Sequence, residues 1–106
     1  MLLTGRLMLQ LLALGDSYTI GESVAEAERW PVQLGALLAK RGVTLEAPFI
    51  IAKTGWTTDE LAAAIAGQKP AGPFELVTLL IGVNNQYRGR DLEDYRKEFR
   101  TLLADA

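Results

Sequence analysis

The sequence predicts an α/β fold built on a parallel sheet. Three apolar runs alternate with segments whose apolar residues recur at helical spacing. Each apolar run is followed by a polar loop that contains glycine. The chain has 106 residues, of which 49% are hydrophobic and 23% are charged. This size and composition are typical of one small globular domain.

The first predicted strand extends from Leu7 to Leu14. The run is almost continuously apolar and stops at Gly15, as expected for a strand covered on both faces. The alternative is a targeting segment at the N-terminus. That stretch has a single Arg, no Ala-x-Ala cleavage site and too few apolar residues to cross a bilayer. We therefore expect a strand, no membrane association and a cytoplasmic location.

The first predicted helix extends from about Ala27 to Arg41. Pro31 suits its first turn, and Gly42 is a good stop signal. The apolar residues that recur at helical spacing in this segment are Trp30, Leu34, Leu37 and Leu38.

The second predicted strand extends from Leu45 to Ala52. Because a proline cannot donate a hydrogen bond to a neighbouring strand, this strand lies at a sheet edge or begins after Pro48. A helix follows, capped by Thr57 or Thr58 and ended by Gly67.

The third predicted strand extends from Glu75 to Ile81, and the residues GVNNQYRGR after it are predicted to be a loop. Asp91 is predicted to cap a final amphipathic helix. The apolar stripe of that helix contains Leu92, Tyr95, Phe99, Leu102 and Leu103. Its charged residues are expected to form a solvent-facing surface of Glu93, Asp94, Arg96, Lys97, Glu98 and Arg100.

The charge and the missing residue types exclude several kinds of site. The net charge is -2 and no basic stripe occurs, so nucleic-acid binding is not expected. The absence of cysteine excludes disulfides, thiolate nucleophiles and cysteine-ligated metals. Histidine is also absent from the 106 residues. We predict no metal site.

The loops after the three predicted strands carry the candidate chemistry. Parallel strands with right-handed crossovers bring their carboxyl ends to one edge of the sheet, where open α/β sheets bind ligands. We therefore expect three polar loops to meet there, with the sequences GDSYTIGE, KTGWTTDE and GVNNQYRG.

These loops contain the groups that an acyl-transfer site needs. Ser17 lies at a strand-to-helix turn, where a serine is exposed and its own N–H points towards a substrate oxygen. Gly55 offers a backbone N–H and Asn84 a side-chain amide, and both can donate to a developing oxyanion. Simpler roles remain open: Ser17 as a helix cap, Gly55 as a residue of unusual backbone conformation, and Asn84 as a turn residue.

The three loops resemble motif blocks of a known family. GDSYT, the Gly of KTGWTTDEL and GVNN are similar, in order and strand placement, to three of the four blocks of the SGNH hydrolases, also called GDSL esterases or lipases. The resemblance implies Ser17 as the nucleophile. It implies an oxyanion hole formed by the Ser17 N–H, the Gly55 N–H and the Asn84 side chain. It also implies a flavodoxin-like three-layer α/β/α fold and hydrolysis of a small acyl ester through an acyl-enzyme, without a cofactor.

Two departures from the family pattern are visible. Asn85 stands where the third block commonly has Asp, and the fourth block, Asp-x-x-His, does not occur in the chain. A serine without a base in reach is a poor nucleophile. We therefore interpret residues 1–106 as the N-terminal part of a single SGNH domain, inactive or weakly active alone. Three of about five strands are expected, in the order 2-1-3. Residues 75–81 would then form an unpaired apolar edge that promotes self-association.

Residues near these motifs have two interpretations each. Asp16 is either a helix cap or a supporting residue of the active site. The aromatic residues Tyr18, Trp56 and Tyr87 either shape an acyl pocket or pack in the scaffold. Arg88 and Arg90 either attract an anionic substrate or are solvated loop charges.

A different kind of function also fits the loops. The alternative is a non-catalytic, flavodoxin-like module that binds a phosphate or flavin at helix N-termini. The chain has neither a G-x-G-x-x-G nor a G-K-[ST] sequence to support it. A non-catalytic relative that kept the esterase scaffold is a third interpretation.

Overall fold

A computed structural model describes residues 7–106. Within this range the strands are β1 (Leu7–Leu9), β2 (Leu11–Gly15), β3 (Val43–Leu45), β4 (Phe49–Ala52) and β5 (Leu76–Leu80). The helices are α1 (Ser17–Ile20), α2 (Trp30–Ala39), α3 (Thr58–Gln68), α4 (Val83–Tyr87) and α5 (Leu92–Asp105). A 3₁₀ turn at Glu26–Glu28 precedes α2.

Three of these strands form a parallel sheet in the order β4-β2-β5. Gly15, the last residue of the central strand, lies opposite Ala52 of β4 and Leu80 of β5. The α/β class, the parallel strands and the predicted order 2-1-3 are therefore confirmed. We call the end of the sheet marked by these three residues the carboxyl edge.

The first two predicted strands are each split in two. Gln10 interrupts the first: its backbone N–H donates to the Glu75 carboxylate (2.7 Å) and its side-chain amide donates to Glu46 (2.9 Å). The part before it, β1, pairs in parallel with β3 in a separate two-stranded sheet. Pro48 separates β3 from β4, so β4 begins after the proline and lies at the edge of the three-stranded sheet.

The largest differences from the predicted helices concern α2, α1 and α4. Helix α2 begins at Trp30 and not at Ala27, with Pro31 in its first turn as predicted. The segments predicted as the loops GDSYTIGE and GVNNQYRGR contain the short helices α1 and α4. These single turns form because the backbone just after a strand can close local hydrogen bonds, such as Thr19 N–H to Asp16 C=O at 3.0 Å.

Helices α3 and α5 begin at capping residues, as predicted. Thr57 caps α3 in a capping box with Glu60, and Asp91 caps α5 by accepting from the Asp94 N–H at 3.1 Å. Helix α3 continues past Gly67 by one residue.

The core lies between the sheet and the pair α3 and α5. It contains the buried residues Leu12, Leu14, Ile51, Leu61, Ile81 and Leu102. Leu11 and Ala13, which alternate with the core leucines of β2, are buried as well. Because successive side chains of a strand point to opposite faces, β2 is covered on both sides. It is therefore a rigid base for the residues that follow it.

None of the helices in residues 7–106 is both long and apolar enough to cross a bilayer. The targeting segment considered above includes residues 1–6, which lie outside the described range. Strand β5 has no strand on its outer side within that range, and its residues Leu76 and Leu80 are exposed.

Candidate active site

Ser17 follows the central strand by two residues and is the first residue of α1. Asp16 caps this helix, because its Oδ1 accepts a hydrogen bond from the Tyr18 N–H at 2.9 Å. Ser17 is half-buried. Within residues 7–106, neither its hydroxyl nor its N–H has a hydrogen-bond partner. Both groups are therefore available at the carboxyl edge.

The residues just before Ser17 are tightly enclosed. A Cβ on Gly15 would lie 2.7 Å from the Leu80 carbonyl oxygen, so only glycine lets β2 and β5 approach this closely at the carboxyl edge. Asp16 is 1% exposed. Burial raises the pKa of this carboxyl, and the hydrogen bond from the Tyr18 N–H offsets part of that effect.

Gly55 lies three residues beyond the end of β4, in an exposed loop. Its φ of 85° is in the left-handed region that glycine adopts without a steric penalty. The Gly55 carbonyl accepts a hydrogen bond from Arg88 Nη2 at 3.0 Å. Its N–H donates to no acceptor in the described part of the chain. The loop therefore presents a backbone donor at the carboxyl edge.

Asn84 belongs to α4, the short helix after β5. Its side-chain Nδ2 donates to the Trp56 carbonyl at 2.9 Å. This bond fixes the plane of the amide. A primary amide has two N–H donors, so the second donor of Asn84 remains available to a ligand.

Hydrogen bonds join the three loops. The Thr54 hydroxyl donates to the Glu22 carboxylate and connects the Gly55 loop to the segment after α1. The Asn84–Trp56 bond connects the Gly55 loop to α4. Candidate residues that are 29 to 67 positions apart in the sequence are thus carried by neighbouring loops.

The loop of Ser17 and the start of α4 also share a groove. Its volume is about 310 Å³, and its lining residues are Asp16, Tyr18, Leu80, Ile81 and Val83. The lining includes the two residues that flank Ser17 in the sequence, together with residues at and after the carboxyl end of β5. Most of its lining is apolar, which suits an acyl chain better than a charged group.

The three aromatic residues considered for a pocket have different environments. Tyr18 is exposed and lines the groove. Trp56 is half-buried and packs against the hydrophobic core, as the scaffold interpretation predicts. Tyr87 is 89% exposed and makes little contact with the described chain.

Arg88 and Arg90 are not simply solvated charges. Arg88 pairs with Glu60, and Arg90 pairs with Asp59 at 3.2 Å. Hydrogen bonds from the Thr57 N–H and from Arg88 lower the pKa of Glu60. The Thr57 hydroxyl and the charge of Arg90 lower the pKa of Asp59. Both arginines therefore form ion pairs that connect the residues after β5 to the first turn of α3.

Two residues that sequence reasoning set aside contribute to the site. Asn85 is 3% exposed; its Oδ1 accepts from the Thr58 N–H (3.1 Å), and its Nδ2 donates to the Thr58 hydroxyl oxygen (2.8 Å). That hydroxyl donates in turn to Glu98. Glu98 is thus an exception to the solvent-facing surface predicted for α5, because α5 packs against α3 at this position. The only signal in the sequence was the place of Asn85 beside Asn84.

The described residues contain no group of three or more acidic side chains placed to hold a metal ion. The polar groups at the carboxyl edge are mainly donors: backbone N–H groups and a carboxamide. Such a set can stabilise a negatively charged oxygen.

Residues 13–106 match the GDSL-like Lipase/Acylhydrolase family. No curated protein shows significant sequence similarity to the chain.

Several solved structures share the fold. The chain is similar to AlinE4, an SGNH-hydrolase family esterase, with 23% identity and a TM-score of 0.82 over 96% of this chain and 54% of that one. It is similar to TesA, with 24% identity and a TM-score of 0.67 over 85% of this chain and 49% of that one. It is also similar to the psychrotrophic esterase EstA from Pseudoalteromonas sp., with 18% identity and a TM-score of 0.67 over 91% of this chain and 52% of that one. The chain thus spans about half the length of the solved structures it matches.

Proposed function

The chain belongs to the GDSL-like lipase/acylhydrolase family, and we propose that the whole protein is a serine ester hydrolase of the SGNH type that acts through an acyl-enzyme. One observation carries the proposal: the loops of Ser17, Gly55 and Asn84 lie at one edge of the parallel sheet and are connected to one another. Each loop brings a group that acyl transfer needs.

In this proposal Ser17 Oγ attacks the carbonyl carbon of a small acyl ester, and its proton passes to a base. The carbonyl oxygen becomes negatively charged. It receives hydrogen bonds from the N–H of Ser17, the N–H of Gly55 and the second N–H of the Asn84 amide. The alcohol leaves with a proton, and water then hydrolyses the acyl-enzyme in the same way. Removing one such donor typically costs about 10²- to 10³-fold in kcat.

The base is the part of the mechanism that these residues do not supply. The 106 residues contain no histidine, and the carboxyl adjacent to Ser17 in the sequence, that of Asp16, is engaged as a helix cap. We assign the base to the His of the Asp-x-x-His block that the family resemblance implies, in the half of the fold that the chain does not span. The chain alone would then label slowly at Ser17 and turn over poorly.

The groove beside Ser17 is the proposed acyl site. Its volume of about 310 Å³ and its apolar side chains, Leu80 and Val83 among them, suit a short acyl group. Tyr18 lines one side, whereas Trp56 belongs to the scaffold. The reaction as proposed requires no cofactor, and a cytoplasmic location remains part of the proposal.

The test is covalent labelling of the chain with a p-nitrophenyl alkylphosphonate, followed by intact-mass measurement and peptide mapping. Attack by Ser17 Oγ on phosphorus releases p-nitrophenolate and leaves a stable phosphonyl-serine. Added imidazole acts as a substitute base, so we expect slow labelling at Ser17 that imidazole accelerates.

The chain offers a matched control for this experiment. It has two serines, and the other one, Ser23, is exposed and lies outside the proposed site. Ser17→Ala should abolish labelling, and Ser23→Ala should leave the rate unchanged. Label found at another residue, or no label even with imidazole, would contradict the proposal. A co-purifying flavin or nucleotide would favour the binding-module alternative.

A further inference from the structure

The loop of Gly55 is attached to α4 by a series of side-chain contacts. We call residues 55–58 the Gly55 segment. Its carbonyl groups at Gly55 and Trp56 accept from Arg88 Nη2 (3.0 Å) and Asn84 Nδ2 (2.9 Å). Its last N–H, that of Thr58, donates to Asn85 Oδ1 (3.1 Å). Residues 84–88 thus hold the segment at three points.

Packing does not determine the orientation of Gly55. The residue is exposed, and a Cβ built on it would meet no atom within 4 Å. A glycine with no neighbours has access to more backbone conformations than any other residue. The observed conformation, with φ 85°, therefore depends on hydrogen bonds to the peptide groups of the loop. One is the turn bond from the Trp56 N–H to the Lys53 carbonyl (3.3 Å), and another is the bond from Arg88 to the Gly55 carbonyl.

Arg88 is well placed to make such a bond, because it is itself fixed at both ends. Its backbone N–H donates to the Asn84 carbonyl at 2.9 Å, one helical turn back. Its guanidinium also contacts Glu60, whose carboxylate accepts from the Thr57 N–H at 3.0 Å. The pairing is charge-assisted, and such bonds are stronger than neutral ones.

We propose that Arg88 is a positioning residue for the Gly55 N–H: by holding the Gly55 carbonyl it fixes the peptide plane after Gly55, and together with the turn bond from the Trp56 N–H to the Lys53 carbonyl it restricts rotation about Gly55. The inference rests on the proposed function of Gly55 as an oxyanion donor. Arg88 and Asn84 lie one turn apart on the same helical segment. They hold consecutive carbonyls, so the two donors, the Gly55 N–H and the Asn84 amide, are presented to a substrate as one unit. Arg88 touches no reacting atom in this scheme.

The first experiment measures the Gly55 amide directly, by ¹⁵N relaxation of the chain. In the wild type we expect an order parameter near the rigid-backbone value of about 0.85, and in Arg88→Ala a value below about 0.6. Arg88→Lys should be intermediate, because the lysine side chain is shorter but can still donate to the carbonyl.

Arg90→Ala is the matched control. Arg90 is an equally exposed arginine that pairs with Asp59 in the same turn of α3 and does not contact Gly55. It should leave the Gly55 amide unchanged. The two alanine variants should have the same urea midpoint. A change of the Gly55 amide in Arg88→Ala alone would then not come from a loss of global stability. An unchanged Gly55 amide in Arg88→Ala, or an equal loss of order in Arg90→Ala, would overturn the inference.

The second experiment connects the orientation of Gly55 to chemistry. In the phosphonate assay with imidazole, Arg88→Ala should lower the labelling rate of Ser17 by about tenfold or more, since small displacements of a reacting geometry have large effects on rate. Arg90→Ala should label at the wild-type rate. Equal rates for Arg88→Ala and wild type would refute the proposed role in catalysis.

The two experiments also separate this inference from the proposed function. If Ser17 is not labelled in the wild type, the esterase proposal fails, while a loss of Gly55 order in Arg88→Ala still supports the structural part of the inference. If Ser17 is labelled and Gly55 stays ordered in Arg88→Ala, the esterase proposal holds and the role of Arg88 is refuted.

Discussion

The carboxyl edge of the sheet and the outer edge of β5 are both open to solvent. They differ in how many of their groups have partners among the described residues. At the carboxyl edge, the carbonyls of Gly55 and Trp56 each receive a donor from α4 or the residue after it. Along β5, Leu76 and Leu80 are 37% and 47% exposed, and no strand lies beyond them in the described range.

This difference separates two physical requirements. Orientation of polar groups needs only short-range, directional hydrogen bonds, and loops within the chain can supply them. Burial of an apolar strand edge needs a further surface with matching backbone donors and acceptors. A half-length portion of the family's fold can therefore contain an organised carboxyl edge and still have an incomplete sheet. Four variants test the two edges, in order of decreasing expected effect.

The largest effect is expected at Gly15, the last residue of the central strand β2. Gly15→Ala places a Cβ against the Thr19 hydroxyl of α1 and 2.7 Å from the Leu80 carbonyl oxygen, so α1 and β5 must both move away from the end of β2. We expect a loss of about 3 kcal/mol in the free energy of unfolding, measured by urea titration. Gly67→Ala is the control, because nothing lies within 4 Å of a Cβ there and alanine favours a helix. Equal effects of the two substitutions would contradict the close packing of α1 and β5 around Gly15.

A smaller effect is expected from the hydrogen bonds of Asn85. In Asn85→Asp both carboxylate oxygens can only accept, so the Thr58 hydroxyl must turn away from Glu98 and donate to the new carboxylate. The half-buried Glu98 then loses its donor and lies near a new, buried carboxylate at position 85. We expect a destabilisation of about 1–3 kcal/mol at pH 7.

Glu98→Gln should restore most of that stability in the double variant, because an amide at position 98 can donate to the Thr58 oxygen. Thermal unfolding of the single and double variants measures the coupling. Additive effects of the two substitutions would show that Asn85 and Glu98 are not linked through Thr58.

The third variant addresses the outer edge of β5. The unpaired apolar strand predicts concentration-dependent self-association in sedimentation experiments. Leu76→Lys should weaken it by about tenfold, because pairing would bury an unpaired charge. Leu103→Lys, at an exposed leucine of α5, should have no effect. A wild-type chain that sediments as a monomer at all concentrations would refute the prediction.

The smallest effect is expected from the charge of Asp16. Burial raises the pKa of this carboxyl above its ordinary value of 3.8, so the folded state binds the proton more tightly than the unfolded state. Ionisation of Asp16 therefore weakens folding. The penalty is absent below about pH 3.8 and grows as the pH rises through the folded-state pKa.

Asp16→Asn keeps an oxygen that can accept from the Tyr18 N–H but has no charge to bury. We expect it to gain stability relative to the wild type between pH 3 and pH 7 in urea titrations. Asp16→Ala, which loses the cap, should be less stable than Asp16→Asn by about 1 kcal/mol. A constant difference between wild type and Asp16→Asn across this pH range would refute the role of burial.

Much of the fold could be predicted from the sequence because strand and helix patterns are local. The apolar runs, the capping residues Thr57 and Asp91 and the start of β4 after Pro48 each depend on residues only a few positions away. The parallel direction of the strands followed from their alternation with helices, whereas the strand order followed only from the resemblance to the SGNH family. The split at Gln10 was less accessible, since its cause is a contact with Glu46 and Glu75.

The candidate residues themselves, Ser17, Gly55 and Asn84, were determined by the sequence, because their residue types and their positions after three strands are properties of the chain alone. Tertiary structure decided how the loops are attached to one another. The bonds from Arg88 to Gly55 and from Asn85 through Thr58 to Glu98 join residues 27 to 40 positions apart. Such contacts depend on the packing of α3, α4 and α5, and hydrogen bonds over that separation leave no local pattern in a sequence.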